Sequence, residues 1–374
     1  MSAVVNMKLS RFPGIKVEIP RDLRPGLARG FGASDGGLAR MDVLPSNLEG
    51  AKDVIFSPPP LFGTPTTMVE TFPNAYIVGK NPIALTNNKS LIQEALFRTP
   101  MRNNLALSYL KFSELSAVHR FPSRQAQQLT GEVCLLASFW DTFGHWIPEH
   151  LLMVRGLQEA GFNLEAMNFI VREPFPGFKH LLLAAAGVKP EQVISWNSSF
   201  ATVEKLVVPT YPQISQENLE WISNLLPSPG PKPSVTHEYI YLSRQEQGYR
   251  AVINEEEVQA VMGEFGFQTV YPEKLDFLDQ VELARNARIL FGPQGSAFTL
   301  QIFMPPRGAV VEVFPLDRVH LFNRQVASVR GHRHYALLDS RQPQPKGLGE
   351  KSVLVNIEEL QRTLELAVRD LGER

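Results

Sequence analysis

The segment ARILFGPQGSAFTLQIFMPPRGAVVEVFP, Ala287–Pro315, holds two apolar runs around a glycine-bracketed turn. A short apolar run, a helix-length stretch and a second apolar run read as strand, helix, strand. The pattern extends upstream. YIYL (239–242), NEEEVQAVMGEFG, QTVY and DFLDQVELARNA precede ARILF, so strands and helices alternate here without a gap. In the first of these helices Asn254 is placed as N-cap with Glu257 three residues on, and Val258, Val261, Met262 and Phe265 share one face.

The same alternation starts earlier, at Glu132. EVCLLAS, NFIVR, QVISW and VEKLVVP read as strands, and IPEHLLMVRGLQEAG, stopped by Gly161, and FKHLLLAAAGV as helices. Between Val54 and Thr86, AYIVG and IALT look like strands separated by turns. Alternating elements of this length imply βαβ units, an α/β class and largely parallel, sandwiched sheets. With 374 residues, 44% of them hydrophobic, the chain is long enough for two cores, since single domains usually stop growing at roughly 250 residues. LPSPGPKPS, Leu226–Ser234, has the composition of a stiff linker. The expected organisation is an irregular arm over 1–50, Gly- and Arg-rich from 21 to 40, an α/β domain over 51–229, a second over 230–355 and a terminal helix over 356–374. That amphipathic helix, NIEELQRTLELAVRDL, could pack back across the first domain.

The balance of 37 Lys+Arg against 38 Asp+Glu provides no global field for nucleic acid, which is not expected as a partner. The single cysteine, Cys134, lies in the apolar run VCLLA, reads as a packed thiol and excludes an intramolecular disulfide. The first twenty residues lack the continuous apolar region of a signal peptide, and no stretch approaches the ~20 apolar residues of a membrane helix. A cytoplasmic protein is expected, with peripheral membrane association left open.

In open parallel sheets ligands bind beyond the carboxyl ends of the strands, where helix N-termini offer free N–H groups. This rule selects Ser243, Arg244 and Arg250 after the first strand of the second half, Pro272, Glu273 and Lys274 after the second, Gly292 to Ser296 after the third, and Pro315 after the fourth. Gly292 and Gly295 remove side chains where the backbone turns, and Ser296 is placed to cap the next helix and leave its amides facing an anion. A diphosphate needs the cationic compensation that Arg244 and Arg250 supply. A turn between strand and helix would use the same glycines, and the GxxxxGK[ST] spacing of a Walker loop is absent.

The first half holds a second cluster, DTFGHWIPEH, Asp141–His150. Proline is tolerated in a helix's first turn, so this helix is expected to begin near Trp146 or Ile147, with His145 before it and Glu149 in that turn. Both side chains would then reach the strand-end cleft, where a Glu149 desolvated by Trp146 and Phe143 could act as a general base. No HExxH motif, cysteine cluster or paired aspartates suggests a metal site, so no metal is expected. His332 and His334, at strand spacing with no acidic residue beside them in sequence, read as surface residues.

Four segments taken together, FGHWIPEHLLMV, YIYLSRQEQGYRAVINEEEV, the run from FGFQTVYPEK to TLQIFMPP, and AVVEVFP, resemble glycosyltransferase family 61 in order and spacing. That family includes capsular polysaccharide biosynthesis proteins, plant xylosyltransferases and protein O-linked N-acetylglucosaminyltransferases. The resemblance covers about residues 132–315. It implies a GT-B-like fold, with two Rossmann-like, doubly wound domains facing a cleft, and inverting, metal-independent transfer from a nucleotide diphosphate sugar. A UDP-linked donor and a polysaccharide or other glycan acceptor would be the partners, with no further cofactor. The family's His-Trp-plus-acid pattern falls on His145, Trp146 and Glu149, which makes Glu149 the base and His145 its orienter or substitute. Its Ser-Arg pair falls on Ser243 and Arg244, its second basic position on Arg250, its Gly-Pro-His-Gly loop on Gly292 to Gly295, and its last acidic position on Glu312. Donor binding is therefore expected from Ser243, Arg244, Arg250, Gln294, Gly295, Ser296 and Glu312. Two positions depart from the family, which has His at Gln294 and Asn at Leu300. Glutamine cannot carry a charge, so a non-catalytic nucleotide- or glycan-binding protein that keeps the fold is the alternative.

Overall fold

The structure, a computed structural model, describes residues 68–79, 82–88, 92, 95, 126–137, 141–198, 200–227, 237–315, 321–341 and 352–372. The expected arm over 1–50 and most of the proline-rich linker lie outside the described residues. The chain forms two α/β units that divide between Gln213 and Ile214.

In the first unit six strands pair in the order β2-β1-β6-β3-β4-β5, with β1 Val69–Val78, β2 Ile83–Leu85, β3 Gln127–Leu135, β4 Met167–Arg172, β5 Val193–Trp196 and β6 Phe200–Pro209. Strands β6, β3, β4 and β5 are parallel, whereas β1 runs antiparallel to β6 and to β2. Among the described residues its longer helices are α1, Leu151–Glu159, and α2, Gly177–Ala185. Val133, Leu135, Ile170, Val203 and Leu206 fill one face of the sheet. Cys134 is fully buried in β3, and burial pushes its thiol pKa up, as for a packed group.

The second unit is a five-stranded sheet in the order β11-β10-β9-β7-β8, every pair parallel. Its strands are β7 Tyr239–Leu242, β8 Gln268–Val270, β9 Ile289–Pro293, β10 Ala309–Phe314 and β11 Arg333–Leu338. Its helices are α3 Gln216–Leu225, α4 Glu255–Glu264, α5 Phe277–Asn286, α6 Phe322–Arg330 and α7 Ile357–Gly372. Counted from β7, this is the doubly wound order 2-1-3-4-5, whose winding reverses between β7 and β9. Tyr241, Phe291, Val311, Val313 and Leu337 pack one face against Val258 and Met262 of α4 and Leu360 and Leu364 of α7. By the two-residue pleat, Glu312 and His334 point to the opposite face.

Three expectations change here. Helix α7 packs on the second sheet, where Asp370 accepts from the Tyr335 hydroxyl at 2.6 Å and pairs with Arg333. An amphipathic pattern identifies a buried face but not the sheet that covers it. Asn254 does not cap α4 with its side chain: its Oδ1 accepts from the Val355 amide at 3.0 Å and its Nδ2 donates to the Val355 carbonyl at 2.9 Å. It clamps the chain entering α7 instead, beside the Val252–Val353 bridge. His332 and His334 are buried, the latter within β11, and His334 Nε2 lies 3.1 Å from Glu312 Oε2. The acidic partner of His334 comes from the neighbouring strand, which spacing along the chain could not reveal.

Burial pushes the His332 imidazole down to about 3, with the charges of Arg330 and His334 adding to the effect. Between 6.5 and that value the unfolded chain binds a proton that the folded chain refuses, so stability falls as pH drops through this window. Replacing His332 with Met is expected to flatten the loss of unfolding free energy between pH 6 and pH 4, by up to about 1.4 kcal/mol per pH unit. Urea unfolding of both proteins across that range checks it, and parallel curves would remove His332 as the source.

A buried ion pair makes a second stability test. Lys179 Nζ lies 2.6 Å from Asp141 Oδ2, with side-chain exposures of 1% and 7%. Burial pulls the Lys179 pKa down and pushes that of Asp141 up, and the mutual contact opposes both shifts. Lys179→Met leaves a buried carboxylate without its partner and is expected to cost about 3–5 kcal/mol. Adding Asp141→Leu should recover most of that loss; a double variant no more stable than the single one would show that packing, rather than charge, sets the effect.

Candidate functional site

In the first unit the winding reverses between β3 and β6, since β4 and β5 lie to one side of β3 and β6 to the other. The chain leaving β3 enters a helical run earlier than expected. A turn of α-helix, Phe143–His145, leads into a π-helical turn, Trp146–His150, and then into α1. Pro148 thus sits inside the run rather than in its first turn. Lacking an N–H, it cannot complete an ordinary i to i−4 bond, and the wide turn is closed instead by the Leu151 amide donating to the Trp146 carbonyl.

The π turn stacks its side chains. The Trp146 and His150 rings lie 6.3 Å apart and nearly parallel, and Phe178 and the Lys179 ammonium also pack on Trp146. His150 meets Tyr211, from the chain just beyond β6, edge-on at 6.0 Å. The loops that flank the reversal are therefore in contact.

His145 Nδ1 lies 3.0 Å from Glu149 Oε1. The side-chain exposures, 20% for His145 and 3% for Glu149, order the pair. The imidazole is at the surface and the carboxylate behind it. A carboxylate on Nδ1 fixes that nitrogen as the protonated one, which makes Nε2 the basic nitrogen of the neutral ring. The sequence alone gives Glu149 the leading place in this pair, whereas the geometry puts His145 in front.

In the second unit the reversal point is flanked by the loops after β7 and β9. Tyr241 pairs with Phe291 across these strands, their rings 4.9 Å apart. A Cβ on Gly292 would lie 2.8 Å from the Leu242 carbonyl oxygen, and one on Gly295 would lie 2.7 Å from Arg244 Nη1. Both glycines thus serve close approach, the first of two backbones and the second of a guanidinium. Arg250, held at φ 57°, reaches back with Nη1 to the Gln294 carbonyl at 3.3 Å, and its guanidinium lies 5.1 Å from the centre of the Tyr249 ring. Arg244 Nε donates to the Tyr249 carbonyl at 3.1 Å. Burial lowers the Arg244 pKa, and the charge of Arg250 lowers it further. Arg250 Nε is buried with no hydrogen-bond partner, and the charge of Glu273 works against the lowering at Arg244 without cancelling it.

The remaining expected residues separate. Gln294 and Gly295 belong to this loop. Ser296 opens a 3-10 turn, Ser296–Ile302, but the N-cap is Gly295 and no side chain caps it. Ser243 is fully buried: its hydroxyl donates to Glu255 Oε1 at 2.6 Å and accepts from the Gln245 amide at 3.2 Å. Glu255 also accepts from the Tyr241 hydroxyl at 2.5 Å, so Ser243 shapes the loop from below. Glu312 is 0% exposed and points into the layer beneath the loop, against Asn323 and His334. It cannot touch a donor directly as expected, because the pleat of β10 turns it to the interior. Tyr211, Glu255 and Asn323 were not selected from sequence. The winding-reversal rule for open sheets points to Tyr211 once the pairing of β6 with β3 is known.

Among the described residues no group of three or more His, Cys, Asp or Glu is placed to hold a metal, and no helix is long and apolar enough to cross a membrane. Residues 143–311 match the family model Glycosyltransferase 61. The chain is also similar to the EGF domain-specific O-linked N-acetylglucosamine transferase of Drosophila melanogaster, 30% identical over 133 residues. That match covers 34% of this chain and 25% of the fly protein, so it spans about a quarter of the relative's length. The matched family segment runs from the His145–Glu149 turn in the first unit through the Arg244 and Gly292–Ser296 loops of the second, so over residues 143–311 the chain is similar to glycosyltransferase family 61.

Proposed function

We propose that the protein is an inverting glycosyltransferase that moves a sugar from a nucleotide diphosphate donor, UDP-linked, to a hydroxyl of a glycan acceptor without an obligatory metal. The observation that carries this reading is the pair Arg244 and Arg250. Two like charges converge at the winding reversal of the second sheet, one with a buried, unpartnered Nε, and the nearby Glu273 carboxylate offsets only part of the effect of burial and of Arg250 on Arg244. Such an arrangement is stabilised by an anion with several oxygens, as a diphosphate has. The similarity to family 61 supports the transfer chemistry, and the two α/β units are assigned the GT-B-like class as part of the same proposal.

The reaction is then a single displacement. The acceptor oxygen attacks the anomeric carbon as the bond to the diphosphate breaks, and the electron pair leaves with the nucleotide diphosphate. The acceptor's proton passes to His145, which Glu149 orients and whose imidazolium Glu149 stabilises. Arg244, Arg250 and the backbone amides at Gly295 and Ser296 stabilise the departing charge, the larger part of catalysis when the transition state is oxocarbenium-like. Gln294, which cannot take a charge where the family has His, favours the second reading, a binding protein that keeps this fold without turnover.

A thermal-shift titration with UDP and a panel of nucleotide sugars, UDP-N-acetylglucosamine among them, with and without EDTA, tests the proposal. Binding to the folded state alone raises the melting temperature by mass action, so one donor should give a saturable shift that EDTA leaves unchanged. Arg244→Ala should lose the shift. Glu149→Gln should keep it and lower donor turnover by about 10³–10⁴-fold, as expected when an imidazole loses the group that sets its tautomer. Normal turnover in Glu149→Gln would sink the dyad, a shift without turnover in the wild type would favour the binding protein, and no shift with any nucleotide would overturn the proposal.

A further inference from the structure

We propose that Asn323 and His334 are positioning residues that hold the Gly292–Ser296 loop in its donor-ready shape by fixing the buried carboxylate of Glu312; the donor-binding part of this rests on the function proposed above. Glu312 is 0% exposed and lies at the carboxyl end of β10, beside the strand that carries the loop. Each of its oxygens has one partner. Asn323 Nδ2, from α6, donates to Oε1 at 2.6 Å, and His334 Nε2, from β11, lies 3.1 Å from Oε2. The same Asn323 Nδ2 reaches the Gly295 carbonyl at 3.5 Å, and that carbonyl also accepts from the Phe298 amide at 3.3 Å. The Asn323 carbonyl in turn accepts from Gln301 Nε2 at 3.1 Å, in the 3-10 turn that follows the loop. The Gln294 amide is bonded to the Val313 carbonyl at 2.8 Å, next to Glu312. The loop is thus tied to β10 at Gln294 by backbone and at Gly295 through Asn323.

A buried carboxylate is costly unless hydrogen-bonded on both oxygens, so this one constrains its neighbours strongly. Asn323 must present its amide nitrogen to Oε1, which aims that nitrogen at Gly295 as well. His334 must present a protonated Nε2, because a bare nitrogen would face Oε2 with two lone pairs opposed. Its Nδ1 has no hydrogen-bond partner, so Glu312 alone sets the tautomer. Gly295 is the residue whose missing Cβ admits Arg244 Nη1. Movement of Gly295 therefore displaces the cationic site, and this is how a residue that touches no ligand acts on binding.

Three measurements on the full chain test the proposal. In wild-type protein, nitrogen NMR of labelled histidine should show His334 protonated at Nε2; a bare Nε2 would overturn the network. In Asn323→Leu, hydrogen exchange at the Gln294 and Phe298 amides should quicken about tenfold, the effect of losing one hydrogen bond, with helix α7 unchanged. Unchanged loop exchange, or acceleration throughout the second unit, would assign Asn323 a merely structural role and overturn the proposal. If Asn323→Leu does not fold, Glu312→Gln, which keeps the side chain's shape, is read by the same exchange with the same outcomes. Finally, the UDP dissociation constant should rise about tenfold in whichever variant folds. Faster loop exchange with unchanged UDP affinity would overturn the link to donor binding. If wild-type protein binds no nucleotide, the proposed function falls, and the exchange and NMR results still decide whether the network positions the loop.

Discussion

The close approach of β7 and β9 is the constraint on which the second unit's site depends. These parallel strands carry their helices to opposite sides, so the loops that leave them diverge and leave a crevice at their carboxyl ends. Gly292 lets the two backbones meet where a side chain would strike the Leu242 carbonyl. That contact places Ser243 and Arg244 beside the Gly292–Ser296 loop, and Gly295 then admits the Arg244 guanidinium. Arg250 comes from the far end of the same β7 loop, whose exit is stapled by the Val252–Val353 bridge and the Asn254 clamp on Val355. The order of strands thus converts residues scattered over fifty positions into one cationic surface.

The two candidate sites treat charge in opposite ways. In the first, the buried Lys179 ammonium is matched at 2.6 Å by Asp141, and His145 by Glu149. In the second, burial and the charge of Arg250 lower the proton affinity of Arg244, and the Glu273 charge offsets only part of that. Burying matched charges stabilises a shape, and the Lys179–Asp141 pair sits against Trp146, where it supports the wide turn that carries His145 and Glu149. Holding like charges together costs stability until an anion arrives. The first arrangement suits a group that must keep its orientation while a proton moves, and the second a group that must wait for a ligand.

Much of this architecture is legible in the chain because local patterns decide it. The apolar runs at Tyr239–Leu242, Ile289–Pro293 and Ala309–Phe314 can only be buried strands, and the strand-end rule led directly to Arg244, Arg250 and the glycine loop. What local pattern could not supply was partnership at a distance. Strand β11 begins Arg333-His334, which looks polar until its neighbour Glu312 is known. Asn254 has the residue type and spacing of a cap, yet Val355, a hundred residues on, takes its side chain. The His145 helix starts earlier than a first-turn Pro148 implies, because a π turn accommodates the proline one turn later.

Glu312 shows how the same residue can resemble a ligand contact in sequence and serve as an internal support in space. An acidic residue in an apolar strand next to a glycine loop is unusual enough to attract a binding role, and the alternation that would assign its face is invisible when both faces are buried. The pleat resolves it: Val311 and Val313 lie in the core under α4 and α7, so Glu312 must face the layer of the 3-10 turn and α6. There a carboxylate without partners would be excluded, and Asn323 and His334 are the partners present. The acidic residue therefore persists in the core only as part of a hydrogen-bonded set. Because one member of that set also reaches the Gly295 carbonyl, the interior of the sheet and the shape of the cationic loop cannot vary independently.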